Sequence, residues 1–308
     1  MSATIRTYEE ADLERLRGLL AHASIAGQFD KFQGPHGLEH KLADPRLERA
    51  SIHLAFVDGT PAGFGFGWRL PQASGAWVMM RVGVLEAFRR RGLGGALARA
   101  VIAYATAAAP RGSSVEMAGS AWVPAEGAEA LARSLGFRHE RWFWLMERPR
   151  GARREPDWPA GIVTRSFDGS AQALADWNDA YNDSFAKHFR FVRSSVEDAR
   201  RIVEAPAFRA DGLLLAYRGE RCLGFCRNVL YESRGEIAVL GTRAEARGIG
   251  LGRALLRWGV GWLEASSPQP VTLVVDGENE GALALYRAEG FTVARTREIW
   301  GRAEEGRA

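Results

Sequence analysis

The chain has 308 residues, 46% hydrophobic and 25% charged, with a net charge of +4. This length predicts about two domains, each large enough for its own core, and the composition excludes a disordered chain. The positive charge is thin, with no basic helix and no aromatic-studded basic stripe, which argues against a nucleic-acid partner. The start, MSATIRTYEEADLERL, carries acidic residues where a signal peptide needs an apolar run, and Val101–Ala109 is too short to cross a bilayer. No membrane role and a cytoplasmic location are therefore expected.

Two halves read in the same order. A short strand (Thr4–Thr7; Ile162–Phe167) precedes helical segments (Ala11–Ala23; Ala171–Ala186). Two strands joined by a tight turn follow, SIHLAFVDGTPAGFGFGW and GLLLAYRGERCLGFCRNVL, with DGT and RGE as the turn signals. A fourth strand (Ala76–Val84; Glu236–Thr242) runs into a glycine-rich stretch and a long helix (Gly94–Ala109; Gly252–Ala265). A fifth strand (Ser114–Ala118; Val271–Val275), a helix (Glu126–Leu135; Glu280–Glu289) and a last strand close each half. The expected fold is α/β (α+β in its mixed sheet) and built twice, as residues 1–150 and 160–308. The stretch between, PRGARREPDWPAG, reads as a solvated linker. Cys222 and Cys226, four apart in a strand, are expected to share a face about 13 Å apart, too far for a disulfide.

RGLGGAL starts at Arg91 and RGIGLGRALL at Arg247. Glycines between a strand and a helix let the backbone approach a ligand, and the helix N-terminus offers free N–H groups and a positive dipole end, which suits a pyrophosphate. Neither stretch has GxGxxG spacing or a following GK[ST], so dinucleotide-fold and P-loop readings fail. The spacing R-x-x-G-x-G occurs at Arg89–Gly94 and again at Arg247–Gly252, 158 positions later. Downstream, Asn279, Ala282, Leu285, Tyr286, Gly290 and Phe291 form N-x-x-A-x-x-L-Y-x-x-x-G-F.

Together these motifs resemble the GCN5-related N-acetyltransferase (GNAT) superfamily, in a tandem arrangement covering nearly the whole chain. The resemblance implies acetyl-CoA as cosubstrate and no metal. Its pyrophosphate would lie on Arg247, Gly248, Ile249, Gly250, Leu251, Gly252 and Arg253, and its pantetheine arm along Leu240, Gly241 and Thr242. The matching places in the first half are Val82, Gly83 and Val84, then Arg89, Arg90, Arg91, Gly92, Leu93, Gly94 and Gly95. Tyr286 holds the position that usually protonates the departing thiolate; the alternative is a tyrosine filling a helix–sheet seam. Asn279 stands at the motif asparagine, where an N-cap role is equally natural. Glu236, eleven residues before Arg247, matches a catalytic or amine-binding glutamate of some members; the alternative is a surface residue on an edge strand.

Counting along the first half finds Ala132, Ala125 and Val78 in place of Tyr286, Asn279 and Glu236. The expectation is an acetyl-CoA-dependent N-acetyltransferase acting on a small-molecule primary amine through its C-terminal half, as a monomer or homodimer. The first half is expected to be catalytically degenerate, with or without bound CoA. The rivals are a non-catalytic acyl-CoA-binding or sensing module and a transferase of longer acyl chains. Two weaker features remain. His36 and His40 lack a third ligand, so no metal is expected. Asp176, Asp179 and Asp183 share one helical face, which would suit a cationic amine or simply face solvent.

Overall fold

The computed structural model describes residues 2–29, 32, 37–72, 75–152, 154–231 and 233–305. They form two compact units, Met1–Trp142 with Arg297–Ala308, and Phe143–Thr296. The closing strands are therefore exchanged relative to chain order. Part of the first half's last strand belongs to unit 2, and the chain's C-terminal strand ends in unit 1.

Unit 1 runs β1 (Ala3–Thr7), α1 (Leu13–Ala21), α2 (Ala23–Ala26), α3 (Gly37–Leu42), β2 (His53–Val57), β3 (Thr60–Gln72) and β4 (Gly75–Val84), then α4 (Leu93–Ala107), β5 (Ser114–Val123) and α5 (Ala128–Ser134). The strand β6 (Arg138–Arg148) leads into unit 2. The sheet order is β1-β2-β3-β4-β5, antiparallel except for the parallel β4–β5 pair. The β2–β3 turn places Asp58 and Gly59 at φ 46° and 80°, the left-handed pair that a two-residue hairpin requires.

Unit 2 runs β7 (Val163–Ser166), α6 (Ala171–Phe185), α7 (Val196–Val203), β8 (Leu213–Arg218), β9 (Arg221–Leu230), β10 (Gly235–Thr242), α8 (Leu251–Ser266), β11 (Val271–Asp276) and α9 (Glu280–Ala288). The chain ends with β12 (Thr292–Glu305). Its sheet order is β6-β11-β10-β9-β8-β7, with β10–β11 parallel. One face packs on α8 through Ile237, Leu255, Leu263, Val271 and Leu273; the other packs on α6 through Trp177, Leu213, Leu215 and Phe225.

The fold is the expected α/β architecture with a mixed sheet, present twice. The helices α3 and α7 were not anticipated. The signal for α7 is Ser195 followed three residues later by Asp198: the Ser195 hydroxyl accepts from the Asp198 N–H while the Asp198 carboxylate accepts from the Ser195 N–H. The two cysteines do not share a face. The β8–β9 register shifts between Ala216 and Tyr217, which leaves Leu223 as the extra residue of β9. Cys222 therefore packs toward α6 and Cys226 toward α8. Both are buried free thiols. No helix among the described residues is long and apolar enough to cross a membrane.

Candidate active site

In unit 2, β10 pairs with β11 only through Gly235–Ile237. Beyond Ile237 the two strands diverge, and the β11-facing edge of Val239–Thr242 is left to something other than a neighbouring strand. The cause is local. The β9–β10 register shifts between Ile237 and Val239, so Ala238 is a bulge residue, and a bulge bends and twists its strand.

Beyond β10 the chain makes a short turn at Ala244–Ala246 and then the glycine loop. Gly248 and Gly250 adopt φ of 79° and 91°, and Gly250 is the N-cap of α8. No side chain caps this helix. Its first backbone bonds are made by the N–H groups of Arg253 and Ala254 on the Gly250 carbonyl. An uncapped helix end behind two left-handed glycines is a cradle for an anion. The side chains of Arg247 and Leu251 turn away from it: Arg247 donates to the Ser184 carbonyl, and Leu251 is buried in the core. These two residues therefore offer the cradle only their backbone. Ile249 is exposed, and Arg253 pairs with Glu289 beside a cavity of about 350 Å³ that Ile249 and Gly250 also line. A Cβ added at Gly252 would meet Thr242 and Leu285 only at ordinary van der Waals distance. At Gly241 an added Cβ would collide with the Phe225 ring and the Ser184 Cβ, so packing from the α6 side requires this glycine.

Glu236 lies on an interior strand and is 2% exposed, which removes the surface-residue alternative. Its neighbours Gly235 and Ile237 pack toward α8, so strand alternation turns Glu236 to the α6 side. Its Oε2 accepts from the Arg234 guanidinium at 3.2 Å. Tyr286 comes from the other side. It projects from α9 into the cluster that α8 shares with the sheet, its ring 6.1 Å from that of Phe291. Burial, with a smaller contribution from Cys226, pushes the phenol up to about 12. Among the described residues its hydroxyl makes no hydrogen bond. Asn279 caps α9: its side chain accepts from the Ala282 N–H at 3.1 Å.

The three acids of α6 are engaged by partners within the protein. Asp176 accepts from the Tyr217 hydroxyl at 3.0 Å, and Asp179 and Asp183 both pair with the buried Arg243, which also donates to the Cys222 carbonyl at 2.7 Å. A buried cation needs that compensation. His36 lies outside the described residues, and no cluster of metal-ligating side chains is present among the described ones.

Unit 1 repeats the loop and changes its surroundings. Arg90 stands at φ 61° in the place of Gly248, and Gly92 stands at φ 80° as the N-cap of α4. A left-handed non-glycine residue costs roughly 1–2 kcal/mol, yet the loop keeps its shape. Arg89 donates to the Ser24 and Val84 carbonyls, Arg91 lies over Phe88, and Leu93 is buried. A Cβ added at Gly94 would meet Leu131, and one at Gly95 would meet the Arg99 guanidinium. Gly83 is required by Phe64 as Gly241 is by Phe225, while Val82 and Val84 pack into the sheet's apolar clusters. All of these places except Arg91 line a cavity of about 750 Å³ with Ala125 and Leu131. The Phe137 N–H bonds the Ala132 carbonyl as the Phe291 N–H bonds that of Tyr286, which fixes Ala132 as the tyrosine's counterpart. The counterpart of Glu236 needs correction. With the bulge at Ala238 allowed for, the β3–β4 and β9–β10 registers align Glu236 with Met79, and Val78 aligns with Gly235. Either way unit 1 has no carboxylate there.

Residues 21–137 and 174–291 each match the model of the acetyltransferase (GNAT) family. The mycothiol acetyltransferase of Salinispora arenicola is 32% identical over 94% of both chains. That of Actinosynnema mirum is 34% identical over 82% of this chain and 84% of its own. A GCN5-related N-acetyltransferase from Sphaerobacter thermophilus has the same fold, with a TM-score of 0.78 at 22% identity over 99% of this chain and 97% of its own. So does a tandem GNAT protein from the clavulanic acid biosynthesis pathway, with a TM-score of 0.72 at 15% identity over 98% of both. The chain belongs to the acetyltransferase (GNAT) family and is an acetyltransferase with two GNAT domains in tandem.

Proposed function

We propose that unit 2 transfers the acetyl group of acetyl-CoA to a primary amine on a small molecule. The observation that carries this reading is the pair Glu236 and Tyr286, which approach the diverging ends of β10 and β11 from opposite faces of one sheet. The cofactor fits the residues present. The Gly248–Gly252 backbone and the α8 N-terminus would hold its pyrophosphate, and the free edge of Val239–Thr242 would hold its pantetheine amides. When bound, acetyl-CoA supplies a thioester carbonyl carbon for the amine to attack.

The protein's own groups then handle two protons. A lysine-like amine has a pKa of about 10.4 and must lose a proton to become a nucleophile. Glu236 is the base for that proton, directly or through a water. Tyr286 gives its phenolic proton to the departing sulfur. A phenol held near 12 is fully protonated at neutral pH, and among the described residues its hydroxyl has no competing partner. The name of the relatives points to an acceptor related to mycothiol. Thiol release from acetyl-CoA, followed across a panel of small amines, tests the reading. Slow hydrolysis unaffected by every amine would overturn it.

For unit 1 the roomy cavity along Arg89–Gly95 favours a second, non-transferring role: it holds CoA without a base or acid to act on it. Calorimetry with CoA checks this by counting sites, two per chain being expected.

A further inference from the structure

The carboxylate at the centre of unit 2 is buried together with a cation. The side chains of Arg234 and Glu236 are 12% and 2% exposed. Arg234 stands two residues before Glu236, next to the first residue of β10, so the two project to the same side of the chain. Two N–H groups of its guanidinium, Nε at 3.4 Å and Nη2 at 3.2 Å, converge on one oxygen, the Glu236 Oε2. Arg234 is itself held at both ends. Its carbonyl accepts from the Tyr231 N–H at 2.9 Å, which closes the β9–β10 connection, and its guanidinium lies 4.4 Å from the centre of the Tyr231 ring. Arg227 of β9 is a second cation within electrostatic reach of Glu236, with Tyr181 of α6 and Tyr231 near it. The residues paired with Glu236 on the neighbouring strands, Val229 and Thr272, carry no charge.

The two registers show that Arg234 and Glu236 are present or absent together. Glu236 aligns with Met79, and two residues earlier Arg234 aligns with Trp77. Unit 1 builds the same sheet with apolar residues at both places, so the architecture does not need the ion pair. The half with Tyr286 has it. A charged carboxylate out of water is costly unless a cation and hydrogen bonds compensate it. A planar guanidinium supplies both with little freedom left to lose, and a group locked in this way holds its partner to a narrow range of positions.

We propose that Arg234 is a positioning residue for the transfer step in unit 2, holding the Glu236 carboxylate through Oε2 in the orientation that takes the proton of the attacking amine. This rests on the reading of unit 2 as an amine acetyltransferase with Glu236 as its base. The proton leaves the amine nitrogen and forms an O–H bond on Glu236, while Arg234 keeps all of its protons and touches neither the amine nor acetyl-CoA. Its whole effect on the rate passes through Glu236.

The test is a double-mutant cycle on kcat, read as thiol release by the full chain at saturating acetyl-CoA. Ethanolamine, glucosamine and alaninamide are the probes, and the fastest of them is used throughout. The rates are compared at low pH, where Glu236→Gln is expected to cost about tenfold. Arg234→Met should lower kcat about tenfold there and leave the acetyl-CoA KM unchanged. In the Glu236→Gln background the same substitution should lower kcat by less than about twofold, because the group that it positions is gone. Arg234→Lys, which keeps the charge and loses the planar fork, should fall between wild type and Arg234→Met. An equal loss in both backgrounds would make Arg234 structural and overturn the proposal. So would an unchanged kcat in Arg234→Met beside a reduced one in Glu236→Gln, which would leave the base standing. An unchanged kcat in Glu236→Gln, or no turnover of any probe by wild type, would overturn the underlying reading and the proposal with it.

Discussion

The two halves of this chain share a loop and differ in the strand that feeds it. In unit 1, β4 runs beside β5 for six residue pairs, from Gly75–Ser114 to Met80–Gly119, with no shift in its pairing to β3. In unit 2, β10 leaves β11 after three pairs, at the Ala238 bulge. Met80 aligns with Ile237, so the strands part at the same place in both halves, and the inserted Ala238 lengthens the freed edge only in the half that also has Glu236 and Tyr286. The glycine loop survives in both halves because its demands are local: left-handed backbone and an uncapped helix end. The acceptor side depends on which side chains the two sheets and helices bring together, and there unit 1 has filled in with phenylalanine and Gln28.

The largest expected effect tests whether the chemistry lies in one half. Tyr286→Phe should lower kcat about 10²-fold or more, with acetyl-CoA affinity and fold retained. With a phenol near 12, wild-type kcat should show no loss from Tyr286 ionisation until well above pH 10. A kcat unchanged in this variant, with chemistry shown to limit the rate, would remove the acid from the comparison.

Next come the twin loops. Asparagine tolerates a left-handed φ where most side chains do not, so it adds bulk to the cradle with little backbone strain. Gly250→Asn should raise the acetyl-CoA KM at least about tenfold, because the pyrophosphate needs close backbone approach. Gly92→Asn should change turnover by less than about twofold and remove at most one CoA site in calorimetry. The opposite pattern would reassign the chemistry to unit 1.

A smaller effect concerns the base. Glu236→Gln should reduce the rate by about tenfold at low pH, where neutral amine is scarce, and less at high pH. A pH–rate profile and an acceptor KM that both match wild type would reduce Glu236 to a partner of Arg234.

The smallest effect concerns unit 1 as architecture. Its Asp12 is buried and held down to about 2, mainly by hydrogen bonds from Arg6. A carboxylate with a depressed pKa stabilises the fold above its unfolded value near 3.9, and loses that contribution as pH falls toward 2. The difference corresponds to about 2.6 kcal/mol. Asp12→Asn should lower the melting temperature at pH 7 by a few degrees, and the gap to wild type should close as pH falls below 4. A gap independent of pH would mean that the ion pair adds nothing to packing.

The repeated order of strands and helices was legible in the chain because alternation, periodicity and turn residues are short-range signals. Gly248, Gly250 and Gly92 announced a close-approach loop before a helix, whose left-handed backbone the structure supplies, and the Asn279 cap could be read from its place ahead of α9. What the chain alone did not reveal were consequences of pairing. A bulge adds one residue to a strand without any distinctive side chain, so Ala238 and Leu223 went unnoticed; Glu236 was aligned with Val78, and the cysteines were placed on one face. The fate of the α6 acids was decided by Arg243, distant in sequence and buried, which required their charge. Local backbone preferences are written residue by residue, whereas the partner of a charge exists only once distant strands have chosen their register.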